Sequence, residues 1–272
     1  MAEEDPMTRD ELVELSDLNY AEAMRDLSRR AGGTVLDEDG LLLFTGGHPL
    51  PVLANATMRT ERRLGAAEVL KRARAFFGAR GRGFTVLVRA HADADLAAAA
   101  ADAGLLAMGE LPAMVLQQRL ADAVPPRGID LRPVTTPEDV AAYGQVMGAA
   151  YATYGMPEDV LPAMLRSLDT LRAPHIVAFV ARVEGKPVAG AMTVVTHGVA
   201  GIYWVGTTPE ARGRGLAELC TRAAGNAGFD LGGRIAALQA SPMGEPVYKR
   251  MGYVEVTRYP YLVQMEPPGR AA

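Results

Sequence analysis

One cysteine stands among 272 residues, so Cys220 has no partner for an intramolecular disulfide and no C-x-x-C spacing offers a thiolate metal site. The four histidines are scattered without ligand spacing, and no metal is expected. An excess of positive charge is also missing. Formal net charge is −4, with 14 Lys/Arg against 19 Asp/Glu in residues 1–126 and 14 against 13 in 127–272. Neither half has the basic balance of a nucleic-acid binder, so nucleic acid is not an expected partner. No apolar run reaches the length of a membrane span. Met1-Ala2-Glu3-Glu4-Asp5 is acidic and lacks the apolar core of a secretory leader. No membrane partner and a cytoplasmic location are expected. What is present is ordinary globular composition, 49% apolar and 22% charged, in a chain long enough for one large domain or two modest ones.

Ala121 to Gly128 (ADAVPPRG) reads as a linker, because Pro125-Pro126 suits neither a helix interior nor a central strand. After it, Ile129 to Val134 alternates as a half-buried strand. Thr136-Pro137-Glu138-Asp139 starts a helix that runs to about Ala152, with Thr136 as N-cap and Pro137 in the first turn. A second helix is expected over Glu158 to Leu171, bent by Pro162. Ile176 to Val183 and Pro187 to Thr196 form a hairpin about Glu184-Gly185-Lys186, and His197-Gly198 turns into a strand over Ala200 to Gly206. Ile235 to Ala240 is a short buried strand, Ser241 to Arg250 a short helix, and Tyr253 to Val263 the final strands. In the first half, helices are expected over Met7 to Arg30, Glu61 to Phe77 and Ala92 to Ala103. Strands are expected at Leu41 to Phe44, Pro51 to Ala56, Phe84 to Arg89 and Met114 to Gln117. Helix, Gly104, strand in one half echoes helix, Gly252, strand in the other, which suggests a worn duplication.

Arg212-Gly213-Arg214-Gly215-Leu216-Ala217 joins the Ala200 strand to a helix whose apolar stripe is Leu216, Leu219, Cys220, Ala223 and Ala227. A glycine-rich strand-to-helix turn aims unpaired N–H groups at one point, with the positive end of the helix dipole behind them. Such a turn suits a pyrophosphate. Arg80-Gly81-Arg82-Gly83 has the same four letters but follows a helix, where carbonyls repel phosphate, and is expected to be a plain loop. No G-x-x-x-x-G-K-[ST] follows a strand, so a nucleotide-hydrolysing P-loop is excluded.

With these features, the second half resembles the GNAT superfamily of acyl-CoA-dependent N-acetyltransferases over about residues 129–266. Arg212 to Ala217 matches that family's [Q/R]-x-x-G-x-[G/A] loop. Leu238 to Tyr253 (LQASPMGEPVYKRMGY) is similar to its strand, small helix with a tyrosine, then Gly-aromatic. The resemblance implies an α/β (α+β) fold with a mixed, mostly antiparallel sheet flanked by helices. A second, smaller α/β domain over 1–120, with a degenerate GNAT-like character, would precede it through the 121–128 linker. It implies acetyl-CoA or coenzyme A as co-substrate, no metal, and a small-molecule or peptide amine acceptor. In the family's manner, the backbone of Val205, Gly206 and Thr207 would pair with the pantetheine arm, and amides of Arg212, Gly213, Arg214, Gly215, Leu216 and Ala217 would hold the pyrophosphate. Ser241 would contact the cofactor, or serve equally well as an N-cap.

Tyr248 takes the family's place for the group that protonates the departing sulfur. A thiol titrates near ~8.5 and a phenol near ~10, so complete proton transfer is uphill by roughly 2 kcal/mol, and the tyrosine serves chiefly as a hydrogen-bond donor. Many members carry a Glu on the strand before the loop to deprotonate the amine. Here that strand offers Tyr203 and Trp204, and neither Glu210 nor Glu245 can be aimed at the reaction centre. The general base stays unassigned, and a catalytically inactive acyl-CoA-binding regulatory module is the alternative. Met147, Tyr151, Tyr154 and Met156 surround the first helix–helix connection, the usual lining of the acceptor pocket, and suit an apolar or flat amine. The first half is left two roles: a wall for the acceptor site, or the surface of a homodimer.

Overall fold

The computed structural model describes residues 7–52, 55–122 and 124–267. Helix α1 (Arg9–Arg30) opens on a capping box: Thr8 Oγ1 accepts the Glu11 N–H, and the Glu11 carboxylate accepts the Thr8 N–H. Next come β1 (Val35–Glu38), β2 (Leu41–Thr45), β3 (Asn55–Arg59), α2 (Ala66–Gly78), β4 (Phe84–Leu87), α3 (Ala94–Asp102) and β5 (Leu106–Leu116). The second half holds β6 (Ile129–Pro133), α4 (Pro137–Ala152), α5 (Val160–Met164), α6 (Leu168–Leu171), the two-residue β7 (Arg172–Ala173), β8 (Ile176–Val183), β9 (Lys186–Thr196) and β10 (Val199–Thr207). A 3-10 turn at Pro209–Ala211 leads to α7 (Leu216–Asp230), β11 (Ile235–Gln239), α8 (Glu245–Arg250) and β12 (Val254–Gln264). No helix among the described residues is long and apolar enough to cross a membrane.

Several expectations shift. The strand placed at Pro51 to Ala56 starts at Asn55, and Leu53 and Ala54 lie outside the described residues. The helix placed from Glu61 begins at Ala66, which leaves 60–65 as a loop. Glu158 to Leu171 is two short helices instead of one bent helix. The Ser167 side chain accepts the Asp169 N–H and starts a new first turn, so the polar side chain outcompetes continuation of α5. The final strands are one, β12, and the Met114 strand extends back to Leu106. On α7 the buried face is Leu216, Leu219 and Cys220, as expected, and Ala224, with Thr221, Gly225, Asn226 and Gly228. Ala223 and Ala227 fall at its margin, because Gly228 lets the helix sit down on β10: a Cβ there would come within 2.3 Å of the Ala200 Cβ.

The strands form one continuous sheet in the order β1-β2-β3-β4-β12-β5-β11-β10-β9-β8-β6, with β7 against β8. Pairing is antiparallel except at β3–β4 and β10–β11, each joined through a helix, α2 and α7. This is the mixed, mostly antiparallel α/β sheet. In it the two halves exchange their last strands. β5 lies between β12 and β11, with Val115 opposite Ala237, while β12 pairs with β4, Leu262 opposite Val86. Alternation along β5 turns Ala113 and Val115 to the face covered by α1 and α4, and Met114 and Leu116 to the face covered by α7 and α8.

Helix α1 fastens the first half onto the sheet of the second. Asn19, almost fully buried, donates to the carbonyls of Val194 and Val199 and accepts the Tyr203 hydroxyl at 2.7 Å. Tyr20 packs between Tyr203 and Tyr259. His175, just before β8, meets Asp26 of α1 at 2.8 Å. Arg30 donates to the same carboxylate, and together these bonds hold the Asp26 carboxyl below its ordinary range despite burial.

Candidate active site

The parallel pairing of β10 with β11 ends at Ile202–Leu238, yet β10 continues to Thr207 against β9. One edge of Val205, Gly206 and Thr207 therefore faces a gap instead of a strand. A register shift between Tyr203 and Gly206 bends β10 there, with Trp204 in the left-handed region at φ 47°. The Tyr143 hydroxyl of α4 donates to the Trp204 carbonyl at 2.7 Å. Gly190 makes room for that ring, since a Cβ at 190 would stand 2.8 Å from it, and Gly206 makes room for Met147 and Ala150 of α4. Two glycines and one tyrosine thus set the bend.

Past the 3-10 turn, Gly213 and Gly215 take φ 73° and 72°, and Gly215 is the N-cap of α7. The first helical bond, Leu219 N–H to Gly215 O, leaves the N–H groups of Leu216, Ala217 and Glu218 without a helical partner. A Cβ on either glycine would meet nothing within 4 Å, so the hollow above the turn is open. The Arg212 guanidinium reaches across to the Ala150 carbonyl and Thr153 Oγ1, tying the loop to the end of α4.

Gap and hollow are one cleft of about 310 Å³. It brings together Val205, Gly206, Thr207, Arg212, Gly213, Gly215, Leu216, Ala217, Ser241 and Tyr248, all named from sequence. Arg214 is exposed beside the loop and outside this lining. Arg250, Glu218 and Met243 line the cleft without having been singled out. Arg250 carried no motif signal beyond its charge. The open hollow, the unpartnered amides and the cation fit the diphosphate and arm of coenzyme A.

Three tyrosines converge on the cleft. Tyr248 on α8 is buried, and burial pushes its phenol above the ordinary value, so it stays a proton donor. The Thr221 hydroxyl lies near it, opposing that rise, without closing a hydrogen bond of normal geometry. Tyr151 packs against Trp204 and Tyr154, at 5.7 and 5.9 Å between ring centres. The Tyr154 hydroxyl donates to Ser241 Oγ at 3.1 Å, bridging the walls, and Ser241 also accepts the Gly244 N–H in the turn before α8. Of the residues expected around the acceptor, Tyr151 and Tyr154 line this cleft, whereas Met147 and Met156 are buried in the core.

Glu218 is the one carboxylate in the lining, and it is bound to Arg222 at 2.9 Å. Glu245 pairs with Lys249 on α8. Cys220 is buried, which pushes its thiol up to about 12 and removes it as a nucleophile near neutral pH. Among the described residues no group of three His, Cys, Asp or Glu side chains could hold a metal.

An acetyltransferase (GNAT) domain model matches residues 116–250. The second half of the chain belongs to the GNAT family. No curated protein matches the chain. Solved structures share the fold over nearly all of it. A GCN5-related N-acetyltransferase from Kribbella flavida aligns at TM-score 0.70 and 22% identity, covering 93% of this chain and 96% of that one. One from Sphaerobacter thermophilus aligns at 0.61 and 15%, covering 98% and 96%. A tandem GNAT protein from the clavulanic acid biosynthesis pathway aligns at 0.59 and 16%, covering 100% and 98%.

A strand, loop, helix and parallel strand of the same order recur in the first half. β3, a loop, α2 and the parallel β4 repeat β10, its loop, α7 and β11, and the loop reads Arg62-x-x-Gly65-x-Ala67. Sequence reading missed it, having assigned residues 61–65 to a helix. The geometry differs: Gly65 is extended, at φ −69° and ψ 155°, where Gly215 is left-handed. Just past the last β3–β4 pair, buried Arg59 bonds to Asp93 at 2.8 Å and to Asp95, and Arg89 bonds to Asp93 at 2.7 Å. Where β10 and β11 leave a gap, β3 and β4 are closed by ion pairs. Arg80-Gly81-Arg82-Gly83 is a structural loop, with Arg82 donating to the Gly46 carbonyl and Asn55 Oδ1.

Proposed function

We propose that this chain is an N-acetyltransferase that moves an acetyl group from acetyl-CoA directly to a primary amine, with both substrates bound together. GNAT membership supports acyl-CoA-dependent acetyl transfer in general. The observation that carries the finer reading is the single cleft uniting the free edge of β10, the open glycine turn and a buried tyrosine. Acetyl-CoA supplies the activated acyl group when bound.

In this reading, main-chain groups of Val205, Gly206 and Thr207 take the pantetheine arm as an added strand. The amides of Gly213 to Ala217 hold the diphosphate, with Arg214 serving through its backbone alone and the Arg212 N–H bonded to the Pro209 carbonyl, and Arg250 adds charge. Ser241 lines the opposite wall. Tyr248 keeps its proton and donates toward the leaving sulfur, while main-chain N–H groups at the β10 bend are the donors for oxyanion charge. With Glu218 tied to Arg222, the acceptor arrives neutral or gives its proton to water. Residues 1–120 act as a companion to the domain at 129–266, joined through 121–128.

The paired state of Glu218 also favours a second reading, a regulatory module that binds acyl-CoA without turnover. Calorimetry with acetyl-CoA, followed by thiol release across an amine panel, separates the two. Binding with turnover supports the enzyme, binding without turnover the module, and no binding ends both.

A further inference from the structure

The connection between α4 and α5 is tied to both walls of the coenzyme cleft. On one side, Arg212 of the glycine loop donates to the Ala150 carbonyl at 3.3 Å and to Thr153 Oγ1 at 3.1 Å. On the other, the Tyr154 hydroxyl donates to Ser241 Oγ at 3.1 Å, two residues past the end of β11. The cleft bounded by these walls also holds the free edge of Val205, Gly206 and Thr207. Helix α4 packs on one face of the sheet and Tyr248 of α8 on the other. A chain lying along the β10 edge therefore has the Tyr154–Ser241 bond across one face and α8 across the other. Three features make this bond a clasp and not a fixed wall. Tyr154 is 49% exposed, resting on Tyr151 with ring centres 5.9 Å apart. The bond joins two neutral hydroxyls within reach of water, where a hydrogen bond contributes little net and opens readily. The next residue, Gly155, sits at φ 80° with open space where a Cβ would stand, a pivot before the chain is fixed again at buried Met156. Tyr151, three residues earlier, packs against Trp204 and stays in place when the clasp opens.

We propose that Tyr154 and Ser241 form a clasp over the pantetheine arm, so that coenzyme A and its acetyl ester enter and leave only while this bond is broken. The proposal rests on the coenzyme-binding part of the function given above and adds how exchange is controlled. The bond joins two protein hydroxyls and uses no coenzyme atom, so it favours the closed cleft equally whether coenzyme is in or out. Removing it enlarges the open fraction in both states. Entry and exit then quicken by the same factor, and the equilibrium affinity stays where it was. A residue that holds the coenzyme behaves differently: its loss speeds exit alone and weakens binding.

The test follows acetyl-CoA binding in stopped flow by the fluorescence of Trp204, the one tryptophan of the chain, which adjoins Val205 and packs against Tyr151. Rapid filtration with radiolabelled acetyl-CoA measures the same two rates without an optical signal. Tyr154→Phe deletes one exposed oxygen and keeps the ring. It is expected to raise the association and dissociation rate constants together by about three- to tenfold. The calorimetric Kd should stay within about twofold of wild type. Ser241→Ala removes the same bond from the opposite wall, and adding Tyr154→Phe on that background should change neither rate further. Unchanged rates in Tyr154→Phe would overturn the proposal and make the bond incidental. Faster dissociation alone, with a weaker Kd, would also overturn it and make Tyr154 a coenzyme contact. Either result leaves the acetyltransferase reading intact, because wild type still binds acetyl-CoA. Absence of acetyl-CoA binding to wild type would overturn both.

Discussion

The hydroxyl of Tyr143 donates to the main-chain oxygen of Trp204 at 2.7 Å, from a ring that is fully buried. That bond holds a tryptophan at positive φ at the point where β10 leaves β11, and so holds open the gap on which the cleft depends. Tyr143→Phe leaves the carbonyl without this partner, a loss of about 1–3 kcal/mol. Denaturant unfolding should show that drop. Turnover should fall more than acetyl-CoA affinity, because the displaced groups lie at the reacting end. A variant as stable and active as wild type would make the bond incidental.

Gly213 and Gly215 are needed for conformation more than for space. Their positive φ costs any other residue about 1–2 kcal/mol, and a Cβ would project into the open hollow. Gly215→Ala is expected to weaken acetyl-CoA binding by about tenfold or more in calorimetry while the fold persists. Equal affinity would place the diphosphate elsewhere.

Burial holds the Tyr248 phenol above its ordinary value, so its protonation does not change through the neutral and mildly alkaline range. Tyr248→Phe should lower kcat by about a hundredfold with acetyl-CoA affinity little changed. With no free carboxylate in the lining, kcat/KM of the wild type should rise about tenfold per pH unit as the amine loses its proton. A plateau reached near pH ~6–7 would reveal a protein base not assigned here.

One coenzyme site per chain follows from comparing Arg59 with the gap beside Val205. Titration of acetyl-CoA should saturate at a stoichiometry of one. A value of two would show that the ion pairs across β3 and β4 open.

Asp93 is fully buried between Arg59 and Arg89. Asp93→Ala removes the carboxylate shared by two guanidinium groups, leaving Arg59 with Asp95 and Arg89 with Asp17, and should destabilise the protein by about 1–3 kcal/mol, seen as a lower denaturant midpoint. The neighbouring Asp95 carboxyl, bonded to Arg59, is held down to about 2. A depressed carboxyl contributes stability above its unfolded value, near ~4, and loses it as pH falls through the folded one. Asp95→Asn should therefore lower stability near neutrality and flatten its acid limb between roughly pH 4 and 2, with variant and wild type converging as pH falls.

The glycine turn, the capping box at Thr136 and the hairpin at Glu184-Gly185 were legible because each is a local device. Positive φ needs glycine or a short turn, and a cap bonds to an N–H three residues away. The loop at Arg62 to Ala67 was not legible, because Arg62-Arg63-Leu64 suits a helix start and the preceding strand was placed too early. Thr221 and Arg250 carried no signal, since what matters in them is their neighbour across the fold.

By itself, then, the sequence determined most of the element order of the second half, the glycine turn between β10 and α7 and the tyrosine beside it. Tertiary structure alone decided that β5 and β12 exchange places, that Arg59 and Asp93 close the first half's gap, and that Tyr154 meets Ser241 across the cleft. The reason is physical. Turn and cap chemistry is settled within a few residues along the chain. A strand's choice between two similar edges, or a pocket assembled from distant segments, depends on packing that no local pattern encodes.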